Sequence, residues 1–252
     1  MSDVSRQHGP SAAADRSGPA ADVFLLGEVD FGACLLLQQR LVYECGGRRD
    51  GKIFLLICEH RPEITVGRQG SWRHIHLDRP ELASRQVDVR WLARGGGCVA
   101  HGPGQLAIYP IVPLEPLGLT VGGYMQRLQA ALLAVCRELG VKPIDRPGRH
   151  GVWGRSGQLA VCGVAVKNSV THHGAFLNVA PSMRLARRVD HDPVEQTPIS
   201  SLVAERQQPV KMNRVRELVI RHLTAALDQP RFHLFTGHPL LAAGRLPANR
   251  AG

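Results

Sequence analysis

Arg94-Gly95-Gly96-Gly97-Cys98-Val99-Ala100-His101-Gly102-Pro103-Gly104-Gln105, continuing as Leu106-Ala107-Ile108-Tyr109-Pro110-Ile111, is the stretch on which the reading of this chain turns. Three glycines in a row permit backbone angles closed to residues with a Cβ, and they let a ligand approach the main chain. His101-Gly102-Pro103-Gly104-Gln105 is a second rigid turn, and the apolar run after it has the pattern of a buried strand over 106–112. Two such turns around a short segment carrying Cys98 and His101 predict one wall of a small-molecule site.

Upstream of the stretch, 87–92 alternates and predicts a strand that delivers the chain to Arg94, and the unbroken apolar run 53–58 predicts a buried one. Asp30 is placed to cap a helix carrying Leu35, Leu37, Leu41, Val42 and Cys45, ended by Gly46-Gly47. Downstream, Tyr124, Leu128, Ala131, Leu132, Val135 and Leu139 recur at helical spacing over 121–139, with Gly140 as terminator. Residues 158–166 and 175–179 predict two strands joined as a hairpin through 168–174, and an amphipathic helix is expected over 211–227. Residues 1–22 and 238–252, rich in Ala, Gly, Pro and charge, are expected to be a disordered leader and a flexible tail around one domain at 23–237. The chain has no internal repeat.

The glycine stretch resembles the Arg-Gly-Gly-x-x-Thr-x-His-x-Pro-Gly-Gln-x-x-x-Tyr-Pro-Ile signature of the lipoate-protein ligase B family, the octanoyltransferases that act between acyl carrier protein and protein lysines. Glu59-His60-Arg61-Pro62-Glu63-Ile64-Thr65-Val66-Gly67-Arg68 is similar to that family's Glu-His-x-Pro-x-x-Thr-x-Gly-Arg, and Gly151-Val152-Trp153 to its Gly-Val-Trp. His173-Gly174-Ala175-Phe176-Leu177-Asn178-Val179 is similar to its His-Gly-x-Ala-Leu-Asn-Val, with Ala175 and Phe176 off-pattern. Order and spacing agree from about Val23 to about Leu202. The resemblance implies an α+β fold, a mixed sheet with packed helices shared with biotin and lipoate protein ligases. It implies an acyl pocket lined by Arg94, Gly95, Gly96, Gly97, Cys98, Val99, Ala100 and His101, completed by Val161, Cys162 and Gly163 and by Gly174, Ala175 and Phe176. It implies, as partners, octanoyl-acyl carrier protein and a lysine on an apo lipoyl domain or a glycine cleavage H-like protein, in lipoate biosynthesis.

The family's chemistry, as the resemblance implies it, uses a cysteine that carries the octanoyl thioester and a lysine that activates it. The lysine position, at the head of Gln158-Leu159-Ala160-Val161-Cys162-Gly163, holds Gln158. At the family's spacing ahead of Ser200-Ser201-Leu202, the cysteine position falls on Asp192 within Val189-Asp190-His191-Asp192-Pro193. A carboxylate attacking a thioester would form an anhydride less stable than the thioester itself, and an amide can only offer hydrogen bonds. Three readings follow. Cys162 or Cys98 could serve as a relocated nucleophile, activated by Lys167, His101 or His173. The acceptor lysine could attack the bound thioester directly, the protein contributing proximity and an oxyanion donor. Or the protein could bind acyl groups or acylated partners without transfer, as a pseudoenzyme.

Composition bounds the rest. With 252 residues and 44% hydrophobic content, the chain can bury a sizeable core. The six cysteines have no metal-ligand spacing, and no carboxylate or cysteine set joins His172-His173 or His191, so neither metal nor cofactor is expected. No apolar run approaches a membrane span and no signal-peptide pattern is present, which predicts a cytoplasmic protein with free thiols. The net charge of +10, carried almost wholly by arginine, suits acidic protein partners. With aromatics at 5% and no recognition helix, nucleic acid is not expected.

Overall fold

The computed structural model describes residues 19–144, 146–192 and 197–242, so most of the predicted leader and tail lies outside the described residues. In chain order its strands are β1 (Ala21–Glu28), β2 (Phe54–Glu59), β3 (Glu63–Val66), β4 (Asp88–Trp91), β5 (Cys98–His101), β6 (Gln105–Ile111), β7 (Gly151–Gly154), β8 (Gly157–Lys167), β9 (Val170–Asn178) and β10 (Phe232–Thr236). The helices are α1 (Phe31–Gly46), α2 (Arg79–Ser84), α3 (Val121–Glu138), α4 (Met183–Ala186), α5 (Leu202–Arg206), α6 (Met212–Ala226) and α7 (Pro239–Ala242). Seven strands form a mixed sheet in the order β10-β1-β2-β6-β9-β8-β7, and β4-β3-β5 form a smaller second sheet. β1 pairs in parallel with both β10 and β2, while the pairings from β2 to β7 are antiparallel. The architecture is the α+β mixed sheet with packed helices that the sequence led us to expect.

The large sheet is covered on both faces. Leu55, Ile57, Leu106, Ile108, Ala160, Cys162, Ala175 and Leu177 pack against Tyr124, Leu128, Leu132 and Val135 of α3 and Val215, Leu218 and Val219 of α6. The alternate residues Leu56, Cys58, Ala107, Tyr109, Val161 and Phe176 pack against Cys34, Leu37, Leu41 and Cys45 of α1. A strand buried on both faces has no polar side to show, which is why β2 reads as one continuous apolar run. Ile64, Val66, Cys98 and Ala100 of the small sheet form a third cluster with Leu82, Val87, Ala186 and Val189.

Helix ends follow their local chemistry. Asp30 accepts from the Ala33 amide at 2.8 Å, and Thr120 caps α3 through the Gly123 amide at 3.0 Å. The differences from expectation are also physical. The β8–β9 hairpin closes over Asn168-Ser169 alone, both at positive φ (51° and 58°), so β9 begins at Val170 rather than 175. Polar Thr171-His172-His173 masked that strand. β1 begins at Ala21, two residues inside the stretch read as leader, and pairs with β10, more than 200 residues away, so no local turn announces either. The same holds for α7 at the start of the stretch read as tail.

Candidate functional site

A cavity of about 420 Å³ lies where the loop between β4 and β5 meets β8 and the start of α3. Gly95, Gly96 and Gly97 form one wall, while Gln158, Val161, Cys162, Gly163 and Val164 of β8 form another. Val121 and Met125 of α3 and Trp153 of β7 add apolar surface, and the polar side chains of Arg68, Arg149, His150, His191 and Asp192 also reach the lining. The two positions singled out by spacing, Gln158 and Asp192, therefore share one cavity with the glycine loop.

The loop is held close to β8. The Gly95 amide donates to the Val164 carbonyl at 3.0 Å, and a Cβ on Gly163 would stand 2.5 Å from the Gly95 carbonyl oxygen. Gly96 adopts φ of +84°, a left-handed conformation natural to glycine. On its other side the loop is tied to the turn after β3: the amides of Gly67, Arg68 and Gln69 donate to the carbonyls of Gly97, Arg94 and Gly96 at 3.0, 3.0 and 3.1 Å.

Arg94 and His101, read from sequence as wall, lie behind it. Arg94 is wholly buried and donates from Nη2 to the Thr65 carbonyl (2.9 Å) and hydroxyl (2.8 Å) and from Nη1 to the Gly95 carbonyl (3.0 Å). Burial lowers its pKa to about 10. Thr65 in turn bonds His101 Nε2 at 2.8 Å, His101 Nδ1 bonds Gln105 Oε1 at 2.8 Å, and Gln105 Nε2 donates to Asn178 Oδ1 at 2.9 Å. With the Thr65 hydroxyl donating to Nε2 and Nδ1–H donating to Gln105, His101 is neutral, in keeping with a pKa that burial pushes well down. This relay joins β3, β5, β6 and β9 in one buried polar network, whose role is to fix the loop. Ala100 and His101 border a separate, smaller cavity of about 220 Å³. Cys98, Val99, Gly174, Ala175 and Phe176 are buried in the packing beneath the loop and do not line the cavity beside it.

At the cavity's polar edge, Arg149 Nη2 stands 2.5 Å from Asp192 Oδ2. Three lining side chains keep a buried polar atom without a hydrogen-bond partner among the described residues: Gln158 Oε1, Trp153 Nε1 and His191 Nδ1. The Gln158 amide nitrogen already donates to the Ala160 carbonyl at 3.2 Å, leaving its oxygen as a spare acceptor. His191 Nε2 bonds the Ala186 carbonyl at 3.1 Å, so that nitrogen carries the proton and Nδ1 is a spare acceptor too. Burial lowers the His191 pKa to about 4, which keeps the ring neutral. Trp153 offers a spare donor. Each unmet buried group costs about 1–3 kcal/mol, a cost a ligand with matching groups would recover. Sequence reasoning placed Trp153 in a motif and His191 beside Asp192 but gave neither to the pocket, because a motif does not tell which of its side chains face a cavity.

Burial disfavours the thiolate form of both candidate cysteines. Cys162 is buried on the cavity's apolar side and its pKa is pushed up to about 12 by burial; that of Cys98 is also raised by burial. Outside the cavity, Cys34, Cys58 and His60 bring their donor atoms within 4.8 Å of one another. No helix among the described residues is long and apolar enough to cross a membrane.

Known proteins share this frame. The family description "Lipoyl protein ligase A/B catalytic domain" matches residues 30–224. The octanoyltransferase of Pelobacter propionicus is 35% identical over 207 residues, covering 81% of this chain and 94% of its own. That of Geobacter metallireducens is 34% identical over 214 residues, covering 85% and 97%. Among solved structures, a lipoate-protein ligase A bound with ATP superposes with a TM-score of 0.68 at 13% identity, covering 88% of this chain and 92% of that one. A bipartite lipoate protein ligase with its E2 lipoyl domain from Thermoplasma acidophilum gives 0.60 at 16%, covering 89% and 90%.

Proposed function

The chain belongs to the lipoate-protein ligase B family, within the wider group of lipoyl protein ligase A/B catalytic domains, and we propose that it transfers an octanoyl group from acyl carrier protein to a lysine of an apo lipoyl domain by direct attack, with no acyl-enzyme intermediate. The observation that carries this reading is the identity of the two residues that motif spacing singles out in the cavity. Where the family pattern has a thiol there is Asp192, paired with Arg149, and where it has a lysine there is Gln158 with a spare carbonyl.

That pair cannot make a thioester, but it suits an amine. The octanoyl chain lies along Val161, Cys162, Val164, Met125 and Val121, a lining with no ionisable group in its charged form. The thioester carbonyl faces the glycine loop, whose backbone can come close to it, and Trp153 Nε1–H is within the same lining as a donor for the developing oxyanion. An incoming lysine ammonium meets the Asp192 carboxylate, the Gln158 carbonyl and the neutral His191 Nδ1. The Asp192 carboxylate or His191 Nδ1 takes a proton, while the Gln158 carbonyl only accepts a hydrogen bond. The free amine attacks the thioester carbon, the C–S bond breaks, the carrier leaves as its thiolate, and the amine's second proton passes to that thiolate. The products are an amide and a thiol. Holding amine and thioester together is the main contribution asked of the protein, and well-oriented reactants can gain about 7–11 kcal/mol from this alone. The basic surface attracts both partners if they are acidic.

The test is transfer itself. Purified protein, octanoyl-acyl carrier protein and an apo lipoyl domain are incubated, and the domain's mass is followed. The domain should gain one octanoyl group at its lysine, at a rate well above that without protein. Tight binding of octanoyl-acyl carrier protein with no gain would favour the pseudoenzyme reading instead.

A further inference from the structure

Away from the cavity, three soft ligands from two elements converge in the layer between α1 and the large sheet. Cys34 comes from the first turn of α1, Cys58 from β2, and His60 follows two residues later, on the same side of the extended chain. All three are buried, and they are the one group of three or more potential ligands found among the described residues. We propose that Cys34, Cys58 and His60 form a structural zinc site that pins α1 to β2.

The distances fit. Zinc holds sulfur at about 2.3 Å and imidazole nitrogen at about 2.0–2.1 Å, which at a tetrahedral angle puts the two ligand atoms about 3.5 Å apart. Cys58 Sγ and His60 Nε2 are 3.5 Å apart. The surroundings fit as well. His60 Nδ1 bonds the Val29 carbonyl at 2.8 Å, the outer bond that metal-bound histidines regularly make; this makes Nδ1 the protonated nitrogen and leaves Nε2 an acceptor beside the sulfur, used by the Tyr109 hydroxyl until a metal takes its place. Gln38 Nε2 lies 3.9 Å from Cys34 Sγ, placed to donate to a thiolate. The Tyr109 hydroxyl is 2.7 Å from His60 Nε2 and so stands next to the fourth position of a tetrahedral ion.

Charge selects the metal. Two thiolates and a neutral imidazole around Zn²⁺ sum to zero, so the assembled site can be buried without net charge, whereas Cu⁺ would leave one negative charge in an apolar layer. Binding displaces two protons, one from each thiol, as two Zn–S bonds form; the Tyr109 hydroxyl loses its histidine acceptor and turns its oxygen to the metal. Sequence spacing hid the site because its ligands lie on a helix and a strand far apart in the chain, and the entry route is folding itself.

The full-length protein is therefore unfolded in guanidinium with reductant, refolded with one equivalent of Zn²⁺ or Co²⁺, desalted and measured for metal. We expect one zinc per chain and, in the cobalt form, the near-ultraviolet thiolate-to-metal absorption of tetrahedral cobalt. Cys34→Ala and Cys58→Ala should each retain less than about a tenth of that zinc, while Cys136→Ala, which removes a buried thiol elsewhere, should retain all of it. Wild-type protein that refolds without holding zinc, and shows no such absorption with cobalt, overturns the proposal. So does zinc retained equally by the two ligand variants, or a Cys34–Cys58 disulfide in natively purified, metal-free protein. Should the variants misfold, the wild-type cobalt spectrum decides alone.

Discussion

At position 192, where motif spacing puts the family's nucleophile, a carboxylate lines the cavity with Arg149 as its partner at 2.5 Å. Replacing it by a thiol would put that sulfur beside a guanidinium, a setting that favours the thiolate. Gln158→Lys would then supply the activating cation from the facing strand. The two changes act as one unit, so we expect Asp192→Cys and Gln158→Lys singly to form little acyl-enzyme with octanoyl-acyl carrier protein. The double variant should exceed their combined effect by roughly 5- to 150-fold, the equivalent of about 1–3 kcal/mol of coupling. Additive singles in a folded double variant would mean that the two side chains do not face each other across the cavity. Motif spacing predicted that these two positions share one site, and both line the cavity beside the glycine loop. The roles of Arg94 and His101 were not legible in the sequence. A residue that fixes a glycine loop from behind and one that lines it from the front have the same place in a motif, and only burial separates them.

Between elements, β8 fits closely against the glycine loop. A methyl group at Gly163 would meet the Gly95 carbonyl at 2.5 Å, and a backbone oxygen held by its neighbours cannot step aside cheaply. Gly163→Ala should therefore lower stability by about 1–3 kcal/mol and reduce transfer at least tenfold, read from urea unfolding and the transfer assay. Gly46→Ala, at a helix end with open space around it, should leave both unchanged. Equal behaviour of the two variants would show that the loop is free to move. Elements with a single strong period, such as α1, α3, α6 and β2, were legible to within a residue or two at either end. β1, β5, β9 and β10 were not, because their partners are distant in sequence or their side chains alternate imperfectly, and pairing rather than propensity makes them strands.

Across the whole molecule, burial of neutral histidines should make folding pH-dependent. Burial, with smaller repulsion from His172 and Arg94, lowers the His173 pKa to about 3, and burial lowers that of His191 to about 4, both from an ordinary 6.5. Below about pH 6.5 the unfolded chain takes up protons that the folded one refuses, so this stability is complete above that pH and is lost as pH falls toward 4. Each unit of displacement is worth about 1.4 kcal/mol. The urea midpoint should drop clearly between pH 7.5 and pH 5, and His173→Asn, which tolerates the positive φ of 57° and does not titrate, should flatten the drop. A pH-independent midpoint would contradict burial of these rings in neutral form.

The chain is 34–35% identical to octanoyltransferases over most of its length, and the reaction proposed for it runs without an acyl-enzyme. The most direct measurement is the intact mass of the protein after incubation with octanoyl-acyl carrier protein alone, taken on the same preparation that octanoylates an apo lipoyl domain. The account predicts an unchanged mass. A gain of one octanoyl group that hydroxylamine removes would contradict it, and Cys162→Ser and Cys98→Ser would then show which thiol carries the group.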